Sequence, residues 1–369
     1  LLSFSPHAIL AGNLIEEPFL PSLHEYIGSI HFHTIASDGN ADFDEVAHLA
    51  SQAGLDFVIA TDHNILVKGK DGWYGDLLLL VGEEIHDIER VPQANHYLAF
   101  NIKEEVAQHA KDAQAVIDAV NAQGGFGFLA HPFEHSTPFS GEPEIDWVDW
   151  EVKGYTGLEI WNYMSEFKAY LPNLPKAFFL AYFPGVAIRG PFPETLQRWD
   201  ELLRGRRVAA IGGTDVHANV YTLGPLKRAI HSYEHCFRTI RTHILSPEPF
   251  KGELEHDSNL VYEALKRGHA FVAYDLIGDS RGFRFLARCR NEEAIMGEEI
   301  ASEAEFEVAS PLPALLRLVH QGKVVAQKRG KSLRYRAKEK GAYRVEAYRR
   351  YLFQRRGWVF TNSIYLREM

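Results

Sequence analysis

The chain has 369 residues, 46% of them apolar, and a formal charge of −10. That is enough apolar chain for a full core in one to three domains. A globally acidic body argues against a nonspecific grip on nucleic acid, and the lack of any run of about 18 apolar residues predicts no membrane-spanning helix. Two cysteines, Cys236 and Cys289, exclude a disulfide framework and any thiolate zinc pattern, and read as buried thiols in a reducing, cytoplasmic setting.

Residues 1–26 read as an N-terminal extension. They contain Glu16 and Glu17 and lack a basic n-region, so they do not read as a signal peptide; the start at Leu1 leaves room for a missing leader. From 27 to about 275, strand-like and helix-like segments alternate. Strands are predicted at 27–33, 57–63, 77–85, 96–101, 126–132, 157–162 and 208–217. Between the first two, Phe43, Val46, Ala47, Leu49 and Ala50 recur at helical period, with Asp42 and Glu45 as a capping box and Gly54 as the stop. Helices are predicted likewise at 103–125, 193–205 and 259–268. The Pro- and aromatic-rich stretch 172–190 reads as a long loop at a rim. Strands alternating with helices specify a parallel sheet with helices outside. Ligand-type residues at the C-terminal ends of nearly all seven strands favour a closed barrel over an open sheet.

Past about residue 276 the segments become short, alternating and turn-separated, which predicts an antiparallel all-β sandwich over 276–369. Tyr343, Val345 and Ala347 are expected to face inward, with Arg344 and Glu346 outward. Lys323 to Arg356 holds thirteen Lys/Arg against two Glu, a local +11 that leaves −21 for the rest. Arg334, Arg336 and Arg344 fall on outward phases, so the basic stretch reads as a solvated face rather than a nucleic-acid or membrane-surface patch.

Nine side chains carry the chemistry: His31 and His33 (SIHFHT), Asp38 (ASDG), His63 (TDHN), Glu84 (VGEEI), His96 (NHYLAF), His131 (LAHP), and Asp215 with His217 (TDVHA). On a strand, residues i and i+2 share a face, so His31 and His33 can reach one ion, and Asp215 with His217 repeats the spacing. Imidazole and carboxylate without thiolate suit Zn, Mn or Fe. One such pair means little; the series does not arise from packing alone. Their neighbours have plainer readings. Asp62 should point away and bond to backbone, and Glu83 reads as a solvated neighbour. Glu159 ends a strand at the same mouth and is a candidate catalytic residue, supporting a ligand or touching substrate. His135 reads as a loop histidine, and His24, His48, His109 and His231 as surface or helix-face residues. Arg189 reads as a surface arginine, or one that meets a substrate anion.

In combination these motifs resemble the PHP family of metal-dependent phosphoesterases, named for polymerase-associated and histidinol-phosphatase members, over residues 27–275. The resemblance implies a distorted (β/α)7 TIM-like barrel holding two or three divalent ions. It implies one ion on His31, His33, Glu84 and Asp215, a second on Glu84, His96 and His131, and a third on Asp38, His63 and His217, with Glu84 as the bridge. A β region after the barrel is similar to the branch that includes carbaryl-hydrolase-like metallohydrolases. The expected activity is phosphoester hydrolysis of a small molecule by a metal-bound hydroxide, with Glu84, Asp215 and Glu159 in catalytic positions. Carbamate or carboxylic-ester hydrolysis at the same site is the alternative, and a non-catalytic binder with a basic β domain is a third. Neither a P-loop nor a G-x-S-x-G elbow is present.

Overall fold

The computed structural model describes residues 23–136, 143–223, 226–229, 231–301 and 303–368. Residues 1–22 of the expected extension lie outside the described residues, and from His24 the chain is already strand. The first nine strands are β1 (His24–Phe32), β2 (Phe57–Ala60), β3 (Gly72–Tyr74), β4 (Leu77–Val81), β5 (Glu83–Ile85), β6 (Tyr97–Phe100), β7 (Phe126–Leu129), β8 (Gly157–Asn162) and β9 (Ala209–Val216). Each of the seven predicted strand regions contains one, and the third contains two, parted at Gly82. FVIA in β2 and LLLLV in β4 are buried at every residue, as apolar runs are when a sheet is covered on both faces.

The pairings are mixed. β1 lies parallel between β2 and β9, β2 is parallel to β4, and β8 is parallel to β7 and β9. β6 runs antiparallel to both β5 and β7. The regular (β/α)7 alternation is therefore interrupted. Helix α1 (Phe43–Gln52) joins β1 to β2, α2 (Ala113–Ala122) joins β6 to β7, and α3 (Tyr163–Ala169), α4 (Leu174–Tyr182) and α5 (Pro193–Leu203) all lie between β8 and β9. Among the described residues, no α-helix separates β2 from β4, β5 from β6 or β7 from β8. Antiparallel neighbours such as β5 and β6 need no crossover helix.

Local chemistry explains the helix boundaries. Asp42 caps α1 by accepting from the Glu45 N–H at 2.9 Å. The single helix expected over 103–125 is shorter, because Asp112 accepts from the N–H groups of Gln114 and Ala115 and starts α2 there, after a 3-10 turn at Ala107–His109. The stretch expected as loop contains α4, capped by Asn173 and entered through Pro175. Two further strands, β10 (Val220–Leu223) and β11 (Leu226–Ala229), form a separate hairpin. Then follow α6 (Tyr233–Cys236), β12 (Ile240–Ser246), α7 (Leu254–Arg267) and β13 (Ala270–Tyr274). Gly268, at φ 75°, ends α7.

The C-terminal part is all β: β14 (Arg284–Cys289), β15 (Glu292–Ile295), β16 (Glu299–Ala301), β17 (Glu305–His320), β18 (Lys323–Arg336), β19 (Gly341–Tyr351), β20 (Gln354–Thr361) and β21 (Ile364–Arg367). β17 is long for a region expected to hold short strands, and its pairing to β18 slips between Ala309 and Ala314 where Pro311 and Pro313 withhold their N–H groups. This part has an apolar cluster around Phe285, Phe306, Tyr343 and Trp358. It also continues the first sheet, because β13 pairs with both β12 and β20. One expectation is corrected here. Tyr343, Val345 and Ala347 face inward as predicted, but Arg344 and Glu346 are buried too. Arg344 makes a two-pronged contact with Asp200 of α5 at 2.8 and 2.7 Å and donates to Glu346 at 2.7 Å. The alternation of β19 holds, but its second face is covered by a helix rather than water. Arg334 and Arg336 are exposed, as expected.

Candidate metal centre

Glu84 is the hub. It is fully buried on β5, and its Oε2 lies 3.0 Å from His31 Nε2, 3.2 Å from His33 Nε2 and 3.2 Å from His63 Nδ1. Its Oε1 lies 2.8 Å from His96 Nδ1 and 3.3 Å from His131 Nε2. Five imidazoles from four strand ends thus meet one carboxylate. Asp215 Oδ1 stands 3.3 Å from His31 Nε2 and 3.0 Å from His33 Nε2. Asp38, more than half exposed, reaches His217 Nε2 at 3.2 Å and His63 Nε2 at 3.8 Å. All nine predicted residues therefore come together.

They sort into overlapping groups whose ligand atoms lie within 4.8 Å of one another: His31, His33, Glu84 and Asp215; Glu84, His96 and His131; and His33, Asp38, His63 and His217. The expected third group omitted His33. A fourth group, His63, His86 and His96, was not foreseen. His86 follows Glu84 by two residues, and the same i, i+2 reasoning applied to His31 and His33 would have found it.

The geometry suits cations better than hydrogen bonds. His31 Nε2, His33 Nδ1, His63 Nδ1, His96 Nε2 and Glu84 Oε2 are buried without a hydrogen-bond partner, although several lie about 3 Å from one another. Unpartnered lone pairs converging in a buried pocket are costly unless positive charge sits between them. The local protonation balance agrees. Burial works against the charged form of His31, yet Glu159, Glu84 and Asp215 hold its proton affinity well above the ordinary histidine range. His33 and His131 are raised to about 9 against the same burial, chiefly through hydrogen bonds accepted by Asp215 and Glu84 respectively. Glu84 is held well below the usual carboxylate range despite burial, by His31, His63 and His96. His63 is pushed down to about 3 by burial. The pocket attracts positive charge, and divalent cations on neutral imidazoles meet that demand.

The backbone is bent to serve this convergence. His31, His131 and Asp215 all have positive φ, at 67°, 24° and 54°, an uncommon conformation for residues with a Cβ. At His31 the pairing of β1 with β9 slips between Ile30 and Phe32. Gly213 on β9 has no side chain for a steric reason: a Cβ there would stand 2.0 Å from Glu159 Oε1 and 2.7 Å from His31 Cβ.

A supporting layer orients the ligands. Glu159 is buried; its Oε1 accepts from His31 Nδ1 at 2.9 Å, and its Oε2 accepts from the His131 N–H at 2.8 Å and Asn162 Nδ2 at 3.0 Å. It touches ligands and also lines the small cleft beside His131. Asp62 behaves as expected, accepting from Thr34 N–H, Thr34 Oγ1 and Ser37 Oγ at 2.7 Å each, which pins the turn that carries Asp38. Glu83 departs from expectation: it is fully buried, accepts from the Val106 N–H at 3.1 Å, and burial raises its carboxyl to about 7. A three-residue strand between two layers leaves it no solvated face. His231 is likewise buried, 3.3 Å from Tyr163 Oη, whereas His24, His48 and His109 are exposed. His135 stays in its loop, 3.7 Å from Glu194. Arg189 is exposed and stacks on Tyr170.

The side chains thus bring together, at one end of a mixed α/β sheet, mostly buried His, Asp and Glu groups that could hold metal ions. No protein-family model matches the chain, and no curated protein matches it. Solved structures it resembles include PHP-like metal-dependent phosphoesterases. One is a two-domain protein of Bacteroides vulgatus described as containing a predicted PHP-like metal-dependent phosphoesterase, at 16% identity and a TM-score of 0.44, covering 92% of this chain and 95% of that one. Another, from Bifidobacterium adolescentis, is assigned as a metal-dependent phosphoesterase, at 18% identity and a TM-score of 0.33, covering 53% and 90%. A third is an amidohydrolase of Chromobacterium violaceum, solved with bound sulfate and no metal, at 12% identity and a TM-score of 0.28, covering 52% and 87%. With TM-scores below 0.5, these likenesses decide no chemistry for this chain.

Proposed function

We propose that the chain is a metal-dependent hydrolase of the PHP type, acting on a small phosphoester. The observation that carries this reading is the meeting of five imidazoles on the two oxygens of the buried Glu84. Two or three divalent ions, of Zn, Mn or Fe, would be held by His31, His33, Glu84 and Asp215, by Glu84, His96 and His131, and by Asp38, His63 and His217. When bound, such ions polarise a substrate oxygen and make a water nucleophilic near neutral pH. The chain's own part is positional. Glu84 spans two ligand groups. Glu159 accepts the Nδ1–H of His31, which turns the Nε2 lone pair toward the pocket. Asp215 closes the first group from β9.

The inferred fold is a distorted seven-strand barrel over 27–275 with an all-β sandwich over 276–369. Support comes from pairings that return from β9 to β1 and from an apolar cluster drawn mainly from the C-terminal strands, joined by Leu245, Phe271 and Ala273. No helix among the described residues is long and apolar enough to cross a membrane. Burial of Arg344 and Arg356 removes charge from the basic stretch and weighs against a nucleic-acid partner.

A second reading, hydrolysis of an aryl carbamate or carboxylic ester, would use the same metal ligands. Metal analysis of protein purified without chelator, with p-nitrophenyl phosphate, bis-p-nitrophenyl phosphate and an aryl carbamate as substrates, tests both. Two to three ions per chain are expected, with phosphoester turnover leading. Glu84→Gln should lose activity by orders of magnitude; normal turnover in that variant, or protein with no bound metal, defeats the proposal.

A further inference from the structure

We propose that His63, His86 and His96 form an all-imidazole cation position, selective for a borderline ion of the Zn²⁺ kind, which competes with the Glu84, His96 and His131 position for His96 and with the Asp38, His63 and His217 position for His63; this rests on the metal-dependent reading above. One nitrogen from each of the three rings lies within 4.8 Å of the others. His86 stacks on His96 with ring centroids 4.2 Å apart and meets His63 edge-on at 4.8 Å. Each ring keeps a buried nitrogen with no hydrogen-bond partner: His63 Nδ1, His86 Nδ1 and His96 Nε2. A histidine kept for packing alone would find a partner for a buried ring nitrogen. The main chain instead holds His86 in place, its N–H donating to Asn64 Oδ1 at 3.1 Å.

Lone-pair counting at His96 makes its two positions exclusive. A neutral imidazole offers one lone pair and one N–H. His96 Nδ1 faces Glu84 Oε1 at 2.8 Å. When Nδ1–H donates to Glu84, the Nε2 lone pair is free for the all-imidazole position. When the Nδ1 lone pair serves a cation shared with Glu84 and His131, Nε2 carries the proton and the all-imidazole position loses a ligand. Three imidazoles without a carboxylate favour Zn²⁺ over Mn²⁺ or Mg²⁺, whereas each group that contains Glu84 or Asp38 accepts the harder ions as well.

Crystals of the full chain soaked in ZnCl₂ and measured at the zinc absorption edge test this directly. A zinc peak is expected about 2.0–2.1 Å from a nitrogen of each of His63, His86 and His96, absent in His86→Gln while peaks around Glu84 remain. In solution, competition with a chromophoric chelator should show the weakest-bound Zn²⁺ loosened about tenfold or more in His86→Gln and in His86→Ala, with Mn²⁺ changed less. Zinc around Glu84 but none among the three rings of the wild-type chain overturns the inference and leaves the proposed function standing, as does an unchanged Zn²⁺ affinity in both variants. No zinc peak anywhere in the pocket overturns the proposed function itself. A variant that fails to fold leaves the wild-type map to decide.

Discussion

Glu159→Gln isolates the orienting layer from the ligands. The carboxylate has two acceptor oxygens for three donors: His31 Nδ1 at 2.9 Å on one side, and the His131 N–H at 2.8 Å with Asn162 Nδ2 at 3.0 Å on the other. Glutamine keeps the shape but supplies one acceptor and one NH₂ group. If its oxygen faces His31, the NH₂ meets two donors; if it is flipped, His31 loses its acceptor and its preferred tautomer. Either way a buried donor goes unsatisfied, at about 1–3 kcal/mol. That is about ten- to hundredfold in metal affinity, the range seen when the hydrogen-bond partner of a ligating histidine is removed. Chelator-competition titration of the metal-stripped chain with Zn²⁺ and Mn²⁺ measures it, with circular dichroism to confirm the fold. Affinity within twofold of the wild type would refute the assignment of Glu159 to orientation. A large loss of turnover with unchanged affinity would instead move Glu159 to the substrate.

Three other outcomes follow from the geometry. Arg344→Ala strands Asp200 and Glu346 in the interior and should cost about 3–5 kcal/mol of stability; an unfolding midpoint in urea equal to wild type would show that the pair is not stabilising. His243 is buried between Glu25 at 2.9 Å and Asp275 at 3.0 Å, and these carboxylates raise it from 6.5 to about 9 against burial. A raised folded-state value contributes fully below pH 6.5 and is lost as pH rises through about 9, so about 3 kcal/mol should fade on that side. Thermal melts of wild type and His243→Gln from pH 6 to pH 10 should converge, and a constant gap would contradict this. Asp62→Ala frees the turn that carries Asp38 and should loosen the ions bound through His63 and His217 while sparing those on His31 and Asp215; partial metal loss on dialysis reads this out, and full retention counts against it.

Much of the site was legible because ligand types recur at strand ends and the i, i+2 rule needs only the strand. Strand locations were legible for the same reason: FVIA and LLLLV are apolar without interruption and end in TDH and GEE. Direction was not. Nothing in NHYLAF says that β6 runs antiparallel to its neighbours, because pairing depends on which edge is free when the strand arrives. Nor could the pattern of β19 tell that Arg344 would meet Asp200, 144 residues away in sequence.

The amino-acid sequence by itself determined nine of the residues that could bind cations, where seven of the strand regions lie, and that the C-terminal part is all β, since each of these follows from short-range periodicity and side-chain chemistry. Only the tertiary structure decided that five imidazoles close on one carboxylate and that Glu159 turns His31. These are meetings of distant segments, fixed by strand register and by the left-handed backbone at His31, His131 and Asp215, and no local pattern encodes them.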